Sequence, residues 1–183
     1  MNAFILTGGM SRRFGSDKAL AQIHGTSFTE HLFEMLSREF EQVAVVGKVR
    51  HFPNLAFVAD NCSAQCPLVG IYSGLTSSVA EWNFFLSVDL PLMRTEVIHA
   101  LKHQIAESLQ IIVPKAGERV HPLCGFYHRS LCAPIEHALH EHRYRMMDFI
   151  ASASAKTVPL NDFESAFFNV NTADAYQQLS RFI

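Results

Sequence analysis

Phe4-Ile5-Leu6 runs without a break into Thr7-Gly8-Gly9-Met10-Ser11-Arg12-Arg13-Phe14-Gly15-Ser16-Asp17-Lys18, an apolar strand feeding a loop with three glycines, two adjacent arginines and a lysine. In an α/β sheet that juncture receives polyanionic ligands, because the strand ends open onto a crevice lined by backbone amides. Gly8, Gly9 and Gly15 carry no Cβ, so the backbone can turn tightly and bring N–H groups against phosphate oxygens, while Arg12, Arg13 and Lys18 supply positive charge. The loop predicts a nucleoside triphosphate as ligand. Two common phosphate loops do not fit it. Five residues separate Gly9 from Gly15 and the lysine comes three residues later, which breaks the Walker spacing, and no G-x-G-x-x-G is present.

The chain supports one buried domain around this loop. Its 183 residues are 49% apolar and 17% charged, the balance of a globular protein, and are read as a single domain spanning 1–183. A formal charge of −2 argues against a general nucleic-acid or anionic-membrane surface, so the basic cluster at 12–18 is local and ligand-directed. The N-terminus enters a strand directly and no apolar run reaches the roughly 18 residues of a membrane span, so a cytoplasmic location is expected. Cys62 and Cys66 are spaced by three residues and Cys124 and Cys132 by seven, with no close C-x-x-C; reduced thiols are the default over a zinc site. His137, His140 and His142 read as the polar face of one helix rather than a metal site.

Strand, loop and helix then alternate. Ser27-Phe28-Thr29-Glu30 is a capping box, and Phe28, Leu32, Met35, Leu36 and Phe40 recur at helical spacing. Strands are expected at 42–46 and 56–59, the latter ending at Asp60, and Pro67 opens a helix whose inward stripe is Leu68, Ile71 and Leu75. Residues 83–88 form the most apolar strand, ending in Asp89-Leu90-Pro91, a carboxylate placed to hold Mg²⁺ over phosphates. Further on, a strand at 110–114, a turn at 115–118, a β segment at 120–127 and helices around 131–139 and 146–151 are expected. Arg143 and Arg145 either reach an anionic ligand or face solvent. Thr172 caps the last helix, with Leu179 and Phe182 turned inward; Asn169 and Asn171, if on a strand, share a face. The alternation predicts a three-layer α/β/α, doubly wound, mostly parallel sheet.

The opening loop resembles the signature L-x-G-G-x-S-x-R-x-G-x-D-K of the molybdenum cofactor guanylyltransferases, nucleotidyltransferases of Rossmann-like fold. Leu6, Gly8, Gly9, Ser11, Arg13, Gly15, Asp17 and Lys18 meet its fixed positions, with Thr7 where alanine is usual. Pro67-Leu68-Val69-Gly70-Ile71 is similar to the family's glycine-proline-leucine-x-glycine-isoleucine element, with Cys66 in place of the leading glycine. Asp89-Leu90-Pro91, His121-Pro122-Leu123 and Asn169-Val170-Asn171-Thr172 follow in the family's order.

This resemblance implies that the chain transfers GMP from GTP to the terminal phosphate of Mo-molybdopterin, releasing pyrophosphate. Arg13, Lys18 and Asp89 would be the catalytic groups, with Asp89 the Mg²⁺ ligand. Leu6, Thr7, Gly8, Gly9, Lys18, Asp60 and Asp89 would bind the nucleotide, Asp60 contacting either nucleotide or metal. His121, Asn169 and Asn171 would meet the molybdopterin, against the alternative that His121 is simply a buried or edge-strand histidine. The nucleotide and metal fall to residues about 1–92 and the pterin to about 93–183. The implied partners are a molybdenum-insertion protein and recipient molybdoenzymes. The competing readings are a transferase using CTP or a sugar phosphate on the same fold and a non-catalytic nucleotide-binding regulator.

Overall fold

The computed structural model describes residues 1–8, 21–23, 25–49, 51–60, 62 and 64–179. In chain order the strands are β1 (Asn2–Leu6), β2 (Gln22–Ile23), β3 (Thr26–Ser27), β4 (Gln42–Gly47), β5 (Phe57–Ala59), β6 (Trp82–Ser87), β7 (Ile111–Ala116), β8 (Arg119–Val120), β9 (Cys124–His128) and β10 (Ala155–Pro159). The helices are α1 (Phe28–Ser37), α2 (Pro67–Ser77), α3 (Thr95–Lys102), α4 (Cys132–His140), α5 (Met146–Ala151) and α6 (Ala173–Leu179).

One sheet runs in the order β10-β7-β9-β6-β1-β4-β5, with β8 attached to β7. Strands β5, β4, β1 and β6 are mutually parallel, as are β7 and β10, and β9 runs antiparallel between β6 and β7. Alternation along each strand divides the core into two layers. Ala3 and Ile5 of β1 pack with Phe84, Ile112 and Phe126 beneath α1, α3 and α6, while Phe4 and Leu6 pack with Phe85, Val113 and Tyr127 beneath α2, α4 and α5. The three-layer, mostly parallel architecture expected from the sequence is thus present.

Local chemistry explains where the elements start. The Ser27 hydroxyl accepts from the Glu30 N–H and the Ser27 N–H donates to Glu30 Oε2, both at 3.2 Å, so the capping box is formed. Pro67 occupies the first turn of α2, where its missing N–H costs nothing. Gly74 lets α2 lie against the sheet, since a Cβ there would run into the Phe4 and Phe85 rings.

Four expectations need correction. The segment 120–127 is two strands, β8 and β9, separated by a turn at 121–123 that Pro122 favours by withholding a ladder donor. The turn before it is confined to Gly117 and Glu118, with Gly117 at φ +54°, because Lys115 and Ala116 pair with Val120 and Arg119. His142 lies beyond α4 at φ +57°, where the Arg143 N–H bonds the Ala138 carbonyl to close the helix end, so the three histidines do not share one helix. Residues 168–171 form no strand, and Asn169 is half-buried while Asn171 is exposed. Phe182 lies outside the described residues.

Candidate nucleotide-binding site

The site is assembled where the parallel strands end. β1 ends at Leu6, whose carbonyl accepts the Val88 N–H at 3.1 Å, and Thr7 continues the ladder by donating its N–H to the Val46 carbonyl at 3.0 Å. Gly8 follows, exposed, and no described atom lies within 4 Å of where its Cβ would be. Backbone there is free to approach a ligand closely. Gly70, one turn into α2, matters for a related reason: a Cβ on it would come within 2.9 Å of Leu6 Cδ2. The Pro-Leu-Val-Gly-Ile spacing therefore seats the start of α2 directly against the exit of β1.

Asp60 and Asp89 flank this exit. Asp60 terminates β5 with its N–H on the Gly47 carbonyl at 2.8 Å. Its carboxylate accepts from the Cys62 N–H and feels the Lys48 charge, yet burial outweighs both and raises its pKa above the usual carboxylate value. Asp60 Oδ1 is buried with no hydrogen-bond partner among the described residues. Asp89 stands just past β6, half-buried, with its carbonyl accepting the Val170 N–H at 2.9 Å; no hydrogen bond from a described residue reaches its carboxylate. That backbone bond fastens the Asn169-Val170-Asn171 segment to the end of β6. Val170 is fully buried beside it, and Asn169 Oδ1, like Asp60 Oδ1, is buried without a partner among the described residues.

His121 enters from the turn before β9, which the antiparallel pairing of Cys124 with Leu86 brings to the carboxyl end of β6. The ring is buried and stacks on Phe167, centroids 4.5 Å apart and planes at 25°. Burial and the Arg119 charge lower its pKa and the Asp89 carboxylate opposes them, so the imidazole is neutral near pH 7.

The structure thus gathers Leu6, Thr7, Gly8, Asp60, Asp89, His121 and Asn169 at one end of the sheet. Asn171 is exposed on the far side of Val170 in sequence and is not part of the buried set. Gly9, Arg12, Arg13, Asp17 and Lys18 lie outside the described residues. Arg143 and Arg145 line a separate cavity of about 530 Å³ between α4 and α5, floored by Ala138 and Phe149, that shares no residue with this site. There Arg143 Nε is paired with Glu141 at 2.8 Å.

Residues 3–157 match the family model described as the MobA-like NTP transferase domain. The chain belongs to that family. A probable molybdenum cofactor guanylyltransferase from a Geobacillus species is 32% identical over 98% of this chain and 97% of its own length. Among solved structures, a putative protein from Aquifex aeolicus is 30% identical with a TM-score of 0.81 over 93% of each chain. The molybdopterin-guanine dinucleotide biosynthesis protein A of Archaeoglobus fulgidus reaches a TM-score of 0.86 over 100% of this chain and 98% of its own, at 20% identity.

Membership in the MobA-like family makes the chain an enzyme of the nucleotidyltransferase class. It also sharpens what the residues alone left out. Phe167, the platform for His121, and Gly47, which faces Thr7, carry no motif of their own. Phe167 is an apolar near neighbour of the Asn-Val-Asn segment in sequence, and Gly47 closes β4. At Cys66, the N-cap of α2, burial raises the thiol pKa against the pull of the Val69 and Leu68 amides, which leaves an uncharged cap. No group of three or more metal-ligating side chains occurs among the described residues, and none of the helices there is long and apolar enough to cross a membrane.

Proposed function

We propose that this chain transfers GMP from GTP to the terminal phosphate of Mo-molybdopterin, giving the molybdopterin guanine dinucleotide form of the cofactor and pyrophosphate. The observation that carries the reading is the pair of backbone bonds, Val88 N–H to Leu6 carbonyl and Val170 N–H to Asp89 carbonyl, which ties the nucleotide-loop strand, the acidic strand end and the Asn-Val-Asn segment into one ridge. The names of the full-length relatives supply the base and the acceptor.

Chemically, an oxygen of the molybdopterin phosphate forms a bond to the α-phosphorus of GTP as the bond from that phosphorus to the β-phosphate bridging oxygen breaks. A phosphate nucleophile is already ionised near neutral pH, so no general base is needed. The work of the protein is to bring two anions together and hold them in line. Backbone at Leu6 to Gly9 meets the base and ribose, Arg13 and Lys18 grip the triphosphate, and Asp60 offers its unpaired oxygen to a donor on the nucleotide. His121, Asn169 and Asn171 sit on the pterin side, in the half from about residue 93 onward.

The residues also suit Mg²⁺. Asp89 presents a carboxylate to which no described residue donates, the orphaned Asn169 oxygen belongs to the segment bonded to it, and both are hard oxygen donors. One carboxylate without a protein cage is how Mg²⁺ is held when substrate phosphates and water complete its shell. Bound there by Asp89, the ion would neutralise charge on the reacting phosphates.

Pyrophosphate release measured with each of the four nucleotides and loaded molybdopterin tests the reading. GTP alone should support turnover, and Lys18→Ala should reduce it by on the order of 100-fold. Turnover with CTP in preference to GTP moves the chain to the cytidylyl-transferring reading, and GTP binding without pyrophosphate release moves it to a regulatory one.

A further inference from the structure

We infer that the Thr7 side chain is a positioning residue for the nucleotide site, a latch that fixes the exit of β1 against the ends of β4 and β5 and works only because residue 47 is glycine. The inference rests on the proposal that GTP binds at the β1 exit.

Thr7 makes two bonds to one acceptor. Its N–H reaches the Val46 carbonyl at 3.0 Å as the last rung of the β1–β4 ladder, and its Oγ1 donates to the same carbonyl at 2.9 Å. The second bond is a property of the side chain, absent in any chain with alanine there. It draws the hydroxyl over Gly47, where an added Cβ would fall well inside van der Waals contact of Oγ1. The Gly47 carbonyl in turn accepts the Asp60 N–H at 2.8 Å. The hydroxyl bond and the adjoining backbone bond together join three strand ends: β1 just before Gly8, β4 at Val46 and Gly47, and β5 at Asp60 with its unpaired buried oxygen. Both groups expected to touch the nucleotide on this side, the Gly8 backbone and the Asp60 carboxylate, hang from that connection.

Removing the hydroxyl orphans nothing, because the Val46 carbonyl keeps the Thr7 N–H. Thr7→Val should therefore fold as the wild type does, with a melting temperature close to it. The loss of one hydrogen bond in positioning should raise the KM for GTP by about two- to tenfold and change kcat by less than about twofold. Thr7→Ser, which keeps the donor, should return KM to within about twofold of the wild type.

Gly47→Ala provides the second arm. It places a methyl against Oγ1 and should raise KM more than Thr7→Val does. Combined with Thr7→Ala it should be relieved, since without Oγ1 the nearest atoms are the residue 7 Cβ at 3.8 Å and Phe57 Cε2 at 4.0 Å, ordinary contacts. Steady-state pyrophosphate release over a GTP series, with thermal melting of each variant, reads all of this. A Thr7→Val enzyme with wild-type KM, or a double variant as impaired as Gly47→Ala alone, overturns the latch. A wild-type enzyme that releases no pyrophosphate with GTP instead removes the nucleotide reading on which the latch depends, and that failure is visible before any variant is made.

Discussion

The two ends of the sheet treat buried polar groups in opposite ways. At the amino end, where β1 and β6 begin side by side, the Asn2 amide donates to Ser78 Oγ at 2.9 Å, Ser78 Oγ donates to Asn83 Oδ1 at 2.6 Å, and the Asn83 amide donates to the Ala80 carbonyl at 2.9 Å. The Ala80 N–H closes the set on Ser78 Oγ at 3.1 Å, and Asn83 is fully buried within it. At the carboxyl end, Asp60 Oδ1 and Asn169 Oδ1 are buried with no described partner. An orphaned buried acceptor costs about 1–3 kcal/mol, so the fold satisfies its polar groups at one end and bears that cost at the other. Both orphans are acceptors. They call for donors such as sugar hydroxyls or base N–H groups, or for a cation.

The contrast predicts that side-chain removal at the two ends will separate activity from stability. The largest effect belongs to Asp89→Asn. Turnover should fall by on the order of 100-fold and Mg²⁺-dependent GTP binding should weaken, while the melting temperature stays near that of the wild type because no described donor bonds the carboxylate. An unaltered magnesium titration would sink the metal assignment. Next comes Ser78→Ala at the closed end, which strands the Asn2 amide, Asn83 Oδ1 and the Ala80 N–H together. It should cost about 2–3 kcal/mol of unfolding free energy by urea titration, with the KM for GTP unchanged. Smaller again is Asn169→Ala. Deleting an already orphaned acceptor breaks no hydrogen bond between described residues and should leave the protein at least as stable as the wild type, yet raise the KM for the pterin substrate severalfold. A marked loss of stability would mean that the amide oxygen has a protein partner after all.

Much of this end was legible in the sequence because it is built from local signals. The strand into Gly8, the capping box at Ser27, Pro67 as a helix start and Asp89 after an apolar strand each announce themselves within a few residues. What was not legible depends on pairing partners far along the chain. Nothing in Cys124–His128 says that it runs antiparallel to β6, and without that pairing His121 has no reason to stand near Asp89. Asn169 and Asn171 have strand spacing, but the segment joins no ladder, and the Val170 N–H instead bonds the Asp89 carbonyl. Gly47 and Gly70 are intelligible only once Thr7 and Leu6 are seen opposite them.

The smallest effect concerns pH, and it again separates the ends, since the Asn2-Ser78-Asn83 set contains no group that titrates. At the carboxyl end His121 and Asp60 have shifted pKa values, with opposite signs. Burial and the Arg119 charge hold the His121 pKa below its usual 6.5, so between that folded value and 6.5 the unfolded chain binds more protons than the folded one. Stability then falls as pH drops through this window, and the decline levels off once the folded histidine protonates as well. Burial raises the Asp60 pKa above 3.8, so between 3.8 and its folded value the folded chain binds the extra proton, and stability there increases as pH drops. Melting curves from pH 7 down to pH 4 should therefore show a loss beginning near the histidine range that is partly offset further into acid. His121→Phe, which keeps a ring on Phe167, should remove the first limb, and Asp60→Asn should remove the second. A His121→Phe profile that still declines just below pH 6.5 would place the responsible group elsewhere, and saturating GTP should flatten the Asp60 limb if that oxygen receives its donor from the nucleotide.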